Sequence, residues 1–326
     1  MPICHLSLFV VFFYIRYTAR FRWRVIYNMQ SLFIGLLTSV LMLLNTIIGM
    51  IPLTLMALLK ALVPLPVFRK HCSAVIVWIA ENWAEMCKRI FAFTTPTRWD
   101  IRGLEGLDSN KSYMIISNHQ SWVDIPALIQ TFNKKIPYFK FFLKKELVWV
   151  PLLGLAWWAL DYPFMKRYSK AYLKKHPHRK GVDFEITKAS CEKFKDIPVS
   201  LMNFLEGTRF TEEKSHRQSS PYRHLLRPKS GGIAFAMQIM GQQVRNVLDV
   251  TVVYPKGEVP GFWSLLSGQV STVIVDVRQL ELDEYLLEGN YEGDLEFRKR
   301  FHRWVAALWQ QKDDNIDRLR QELPSH

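Results

Sequence analysis

An uncharged run of 35 residues, Val25 to Leu59, constrains this chain more than any other feature. Its core, Leu32–Leu59, holds 28 residues dominated by Leu, Ile and Met, whereas an α-helix needs roughly 20 to cross a bilayer. A soluble domain has difficulty covering so long an apolar stretch, so the run predicts an N-terminal membrane-embedded helical segment. Gly49 and Pro52 interrupt it, which leaves a bent helix or a short re-entrant pair beside a single span. Basic residues flank both ends, Arg16, Arg20, Arg22 and Arg24 before and Lys60, Arg69 and Lys70 after. The positive-inside rule therefore gives no orientation, and a hairpin with both ends in the cytoplasm suits the flanks. The run is too long for a signal peptide, and no small-residue cleavage site follows it.

Residues 1–31 read as a basic N-terminal extension. Leu6–Ile15 is a short apolar run followed by arginines, which fits either a membrane-surface element or sequence lying upstream of a true start at Met29. Residues 32–93 read as the anchoring helical segment. Within it, Val75, Trp78, Ile79, Asn82, Met86 and Ile90 share one broad, mostly apolar helical face. Thr94–Thr97, with Pro96, ends it and opens a catalytic domain over 94–326. From there the periodicity alternates. Strands are expected at Trp99–Arg102, Tyr113–Ser117, Val199–Leu205, Leu248–Tyr254 and Thr272–Val277. Helices are expected at Pro126–Phe132, Asp183–Lys195, Gly231–Met240 and Leu295–Gln311. This order predicts an α/β domain with a mixed, largely parallel sheet flanked by helices. His216–Pro228 is polar and basic and reads as a mobile loop.

The formal net charge is +14. Between Lys134 and Lys193 fourteen Lys or Arg face five Asp or Glu, a field that attracts phosphate on lipid headgroups, nucleotide-bearing donors, membrane surfaces or nucleic acid. Four cysteines, at 4, 72, 87 and 191, have the spacing of neither a disulfide framework nor a zinc site. No GxSxG nucleophile elbow is present, which weighs against an α/β hydrolase.

Chemistry concentrates in three places. Asn118-His119-Gln120-Ser121-Trp122-Val123-Asp124 follows an apolar strand and precedes a helix containing Pro126. On one straight helix His119 and Asp124 would point about 140° apart, but across a strand-to-helix turn they can meet. Asp124 would then accept an imidazole N–H and leave the other nitrogen to take a proton from an alcohol. Capping of the helix by Asp124 is the plainer alternative. Phe204-Leu205-Glu206-Gly207-Thr208-Arg209 follows a second apolar strand. Gly207 permits a tight turn or close ligand approach, Arg209 offers a planar fork for phosphate, and Glu206 would orient Arg209 or bond a substrate hydroxyl. Between the two lie Lys144 to Gly154 and Tyr162 to Arg167, where aromatic and basic residues mix.

His119 and Asp124 resemble the HxxxxD motif of the glycerolipid acyltransferase family, which includes the lysophosphatidic acid acyltransferases. Glu206 to Arg209 resembles its EGTR motif. Lys144 to Arg167 looks like its second conserved block, and Val253-Tyr254-Pro255 like its fourth, with Tyr254 where a small aliphatic residue is common. The string Asp161 to Arg167 looks like that of a bacterial branch of the family. The similarity covers about residues 95–260.

The resemblance implies direct acyl transfer from acyl-CoA or acyl-carrier protein to the free hydroxyl of 1-acyl-sn-glycerol-3-phosphate. It implies no acyl-enzyme, no cofactor and no metal. His119 and Asp124 would be catalytic. Glu206, Gly207, Thr208 and Arg209 would bind substrate, with Lys144 and Arg167 as further phosphate contacts. Backbone amides near the His119 turn would stabilise the oxyanion. The expected partners are a lysophospholipid, the acyl donor and membrane lipids, with no nucleic acid. The expected place is the cell inner membrane, with the catalytic domain facing the cytoplasm. Another lysophospholipid acceptor, or a non-enzymatic membrane-tethered binder of acidic ligands, are the competing expectations.

Overall fold

A computed structural model describes residues 4–165, 194, 197–255, 259–291 and 293–322; within these, side chains are described from Asn28 on, apart from positions 165, 242, 243 and 288. The chain opens with one continuous helix, α1 (Cys4–Leu62), in which Pro52 is contained rather than breaking it. After a three-residue connection, α2 (Pro66–Thr94) runs back against it, begun by a proline where a missing N–H costs nothing. Gly49 lets the two helices approach at Trp83. Trp83 Nε1 donates to Thr46 Oγ1 (3.2 Å), and Asn45 Nδ2 donates to the Trp83 carbonyl (3.1 Å). The most apolar 18-residue stretch within Asn28–Leu62 of α1 has a mean hydropathy of 2.1, and only 11% of it is buried. Leu43, Ile48, Ile51, Leu55 and Leu62 are exposed along it. By length and composition it is able to cross a membrane.

The remainder is built on a six-stranded sheet of β1 (Arg98–Arg102), β2 (Tyr113–Ser117), β3 (Phe139–Phe141), β6 (Ser200–Phe204), β7 (Asn246–Val253) and β8 (Thr272–Leu280), ordered β1-β8-β7-β2-β6-β3. Every neighbouring pair is parallel except β7 with β8. The mixed, largely parallel sheet flanked by helices is the architecture expected from the alternating pattern. A separate two-stranded ribbon joins β4 (Leu143–Lys144) to β5 (Phe164–Met165).

Central strand β2 is buried throughout, because apolar residues face both layers. Its alternation sorts them: Met114 and Ile116 pack on one face, Tyr113 and Ile115 on the other. On the first face lie α6 (Ser230–Met240) and α9 (Leu295–Gln321); α9 contributes Phe301, Val305 and Trp309. On the second lie α3 (Asp124–Phe132), α7 (Phe262–Leu266) and the end of α2. Short helices α4 (Leu153–Ala159), α5 (Glu212–Gln218) and α8 (Glu284–Glu288) fill the connections.

Helix α9 continues ten residues past the expected end at Gln311. Its last turns bury polar groups, so apolar periodicity does not mark them. Lys312, fully buried, pairs with Asp249 on β7 (2.6 Å), whose other oxygen meets Arg278 (2.5 Å). The stretch expected to be a mobile loop, His216–Pro228, instead ends α5 and then folds inward: Leu225 and Leu226 are fully buried. The amides of Arg223 and His224 donate to Asp313 on α9 (2.8 and 2.9 Å). The expected helix at Asp183–Lys195 lies outside the described residues except for Phe194.

Candidate active site

Two strand-to-helix turns, after β2 and after β6, meet at the same sheet end. The β2 turn leaves the sheet through Asn118, which is fully buried. Its side chain donates to the Val252 carbonyl (2.9 Å) and accepts from the Val252 amide (2.8 Å). A side chain thus completes the ladder where the backbone departs, and His119 is delivered just beyond the sheet.

His119 and Asp124 meet across this turn, with Nδ1 and Oδ2 2.8 Å apart. Asp124 sits in the first turn of α3 and is 0% exposed. Its carboxylate reaches back rather than capping forward. Oδ2 also accepts from the Gln120 and Ser121 amides (2.7 and 2.9 Å), and Oδ1 accepts from the Tyr254 hydroxyl (2.5 Å). The Asp124 carboxylate accepts from all these groups, which assigns the proton to Nδ1 of His119 and leaves the Nε2 lone pair free. The ring stacks on Phe204 at 4.0 Å between centroids, which fixes its plane. Burial, and then the Asp124 charge, hold the Tyr254 hydroxyl well above the usual phenol range, so it remains a donor.

The β6 turn divides its residues between inside and outside. Glu206 is 0% exposed, and its oxygens accept from the amides of His119 (2.8 Å) and Leu226 (2.9 Å). The expected contacts of Glu206 with Arg209 or a substrate hydroxyl are not what this geometry offers: both oxygens point into the scaffold. Burial pushes the Glu206 carboxyl up to about 8; the Leu226 and His119 amides oppose the rise, and Asp124 adds to it. The two turns are stitched again where the Phe210 amide donates to the His119 carbonyl (2.7 Å). Gly207 has φ +67°, a backbone conformation that calls for glycine, and a Cβ there would only push aside the end of the exposed Lys229 side chain. Thr208 Oγ1 and the Arg209 carbonyl accept from Lys214 Nζ (3.1 and 2.8 Å). The Arg209 guanidinium lies over the Trp122 ring, 4.6 Å from its centroid, which joins the two turns on the outside.

Lys144 is exposed on the β4–β5 ribbon, and Arg167 lies outside the described residues. Of the amides near the His119 turn, those of His119, Gln120, Ser121, Val123 and Asp124 have partners within the protein, so the expected oxyanion donors are not among these five. Tyr254 was legible only as a departure from the family pattern; the residue it serves lies 130 positions earlier. Nothing in the sequence signalled that Lys214, Arg223, His224 and Arg320 line one cleft with Arg209.

The Acyltransferase family model matches residues 98–255, which contain both turns and Tyr254. Relatives include 1-acyl-sn-glycerol-3-phosphate acyltransferase 3 of Arabidopsis thaliana, 26% identical over 260 residues, covering 74% of this chain and 61% of that protein. The gamma form from Homo sapiens is 27% identical over 253 residues, with coverage of 73% and 59%. The chain therefore spans about three-fifths of the length of these relatives. Among solved structures, the 1-acyl-sn-glycerophosphate (LPA) acyltransferase PlsC from Thermotoga maritima shares the fold, with a TM-score of 0.52 at 17% identity, over 92% of this chain and 100% of that one. A paired His119 and Asp124 and a Glu206–Arg209 turn meet at one sheet end inside this matched region, so residues 98–255 are an Acyltransferase-family domain and the chain is similar to the PlsC-like acyltransferases.

Proposed function

We propose that the protein transfers a fatty acyl group from a thioester donor to the free hydroxyl of 1-acyl-sn-glycerol-3-phosphate, giving phosphatidic acid. The observation that carries this reading is the 2.8 Å contact of His119 Nδ1 with Asp124. His119 Nε2 takes the hydroxyl proton as the oxygen attacks the thioester carbonyl carbon. The tetrahedral intermediate collapses, the carbon–sulfur bond breaks, and the departing thiolate takes the proton from His119. Asp124 stabilises the imidazolium in between. No residue becomes acylated, because the lipid hydroxyl is the nucleophile. Arg209, flattened on Trp122, holds the acceptor phosphate through its guanidinium fork. Glu206 acts as a positioning residue that ties the two turns together through backbone amides.

The rest of the molecule supports a lipid substrate. An apolar cavity of about 350 Å³ lies where α1 and α2 meet α3 and α7, lined by Met42, Trp83, Phe91, Ile129 and Leu266, and suits an acyl chain. Helix α1 anchors the enzyme in the cell inner membrane. The catalytic domain faces the cytoplasm, where acyl thioesters are found. The resemblance implies no resident cofactor or metal, and the proposed steps require neither. Purified protein given lysophosphatidate and acyl-CoA or acyl-carrier protein is expected to release thiol and form phosphatidate in equal amounts. Thiol release without phosphatidate, across a panel of lysolipids, would overturn this reading.

A further inference from the structure

A cleft of about 630 Å³ begins at Gln120 and Arg209, beside His119, and reaches Arg320 in the last turn of α9. Lys214, Arg223 and His224 also line it, and Glu212 is its one lining carboxylate. Its wall is built. Lys214 is tethered to Thr208 and to the Arg209 carbonyl. His224 Nε2 donates to Asp317 (2.7 Å), and His224 Nδ1 accepts from Arg320 (3.0 Å). Asp317 also pairs with Arg223 (2.8 Å). Arg320 is only partly satisfied: its Nε is buried and without a hydrogen-bond partner among the described residues. Partial burial disfavours its charged form. A cation in the last turn of a helix favours the helix dipole, but that alone does not account for an orphan Nε on a guanidinium lining a cleft. An anion in the cleft that Arg320 lines would offset the charge of its guanidinium.

This inference rests on the proposed acyl transfer, which brings two anionic substrates to His119. The acceptor has its phosphate close to the reacting hydroxyl, within the reach assigned to Arg209. A coenzyme A donor carries its pyrophosphate and 3′-phosphate at the far end of a pantetheine arm. It therefore needs cations displaced from the thioester and continuous with it. A recess lined by Lys214, Arg223 and Arg320 meets that need. A carrier protein would dock through an acidic surface and requires an open face, whereas these cations line a concave cleft. We propose that this cleft binds the nucleotide phosphates of acyl-coenzyme A, with Arg320 as the anchor that lies outside the matched family domain.

The test uses the full chain in detergent or vesicles, with Arg320→Gln and the charge-retaining Arg320→Lys. Arg320→Gln is expected to raise KM for palmitoyl-CoA about tenfold, the loss of one charge-assisted contact. Arg320→Lys should raise it less. Neither should change KM for lysophosphatidate or for palmitoyl-pantetheine, a thioester that lacks the nucleotide. Adenosine 3′,5′-bisphosphate should compete with palmitoyl-CoA on the wild type and lose that potency on Arg320→Gln. An equal rise for the pantetheine thioester, no rise for palmitoyl-CoA, or transfer from acyl-carrier protein alone would overturn the assignment. A rise confined to lysophosphatidate would overturn it as well and would place the acceptor phosphate here. If the wild type transfers acyl groups from no donor, the functional reading fails separately. Calorimetric binding of adenosine 3′,5′-bisphosphate by wild type but not by Arg320→Gln would then still support the cleft, and equal binding by both would exclude it.

Discussion

The two turns at the sheet end contain a buried carboxyl group each and use it oppositely. Asp124 spends one oxygen on Tyr254 and the other on His119 and two neighbouring amides, so its charge is shared between scaffold and imidazole. Glu206 gives both oxygens to backbone amides, one of them that of His119. One turn therefore holds the imidazole to which we assign the proton transfer, while the other fixes where it stands and extends Arg209 outward. The difference teaches that neighbours in a motif need not share a role: burial, not sequence adjacency, separates the scaffold residue Glu206 from the reaching residue Arg209.

Substitutions that strike one role and spare the other test this contrast. Asp124→Asn should have the largest effect, lowering kcat on the order of 10³–10⁴-fold, because it removes the carboxylate that orients and stabilises the imidazole. Retention of near-normal kcat in a folded variant would mean that Asp124 serves only the turn. Arg209→Met should act on binding, raising KM for lysophosphatidate about 10–100-fold with a smaller change in kcat. A pure loss of kcat would assign Arg209 to the transition state instead. Tyr254→Phe should lower kcat about tenfold with both KM values near those of the wild type, since one buried hydrogen bond to Asp124 disappears. An unchanged kcat would show that Oδ1 needs no protein donor.

Glu206→Gln should change stability more than chemistry, and its signature is in pH. Burial raises the folded carboxyl from 4.5 to about 8, so between those values the folded protein retains a proton that the unfolded chain has released. Stability must then fall as pH rises across that window and level off above it, a contribution of roughly a few kcal/mol. Thermal unfolding in detergent from pH 5 to 9 should show this slope in the wild type and a flatter one in Glu206→Gln. An identical slope would mean that other groups set the pH dependence.

Local pattern was enough for much of the catalytic domain. The apolar runs at Tyr113–Ser117 and Ser200–Phe204 are strands because both sheet faces are covered, and the residues after each carry the motif turns. Pattern failed where a long-range partner compensated a local signal. Pro52 suggested a break, but α1 is continuous there and packs on α2. The amphipathic pattern was read only as far as Gln311, yet the helix runs on with Lys312 buried against Asp249 in the core. The antiparallel β7–β8 pairing has no marker in either strand. At the site, the pairing of His119 with Asp124 was readable because five residues and one turn separate them. Tyr254 and Arg320 were not, since only tertiary packing brings them near.

The most direct test of the central claim, that the His119 imidazole activates the lipid hydroxyl, is phosphatidate formation by purified His119→Ala beside the wild type at saturating lysophosphatidate and acyl donor. Loss of a positioned general base predicts a kcat lower by about 10²–10⁴-fold with substrate binding retained. Turnover within a few-fold of the wild type would contradict it.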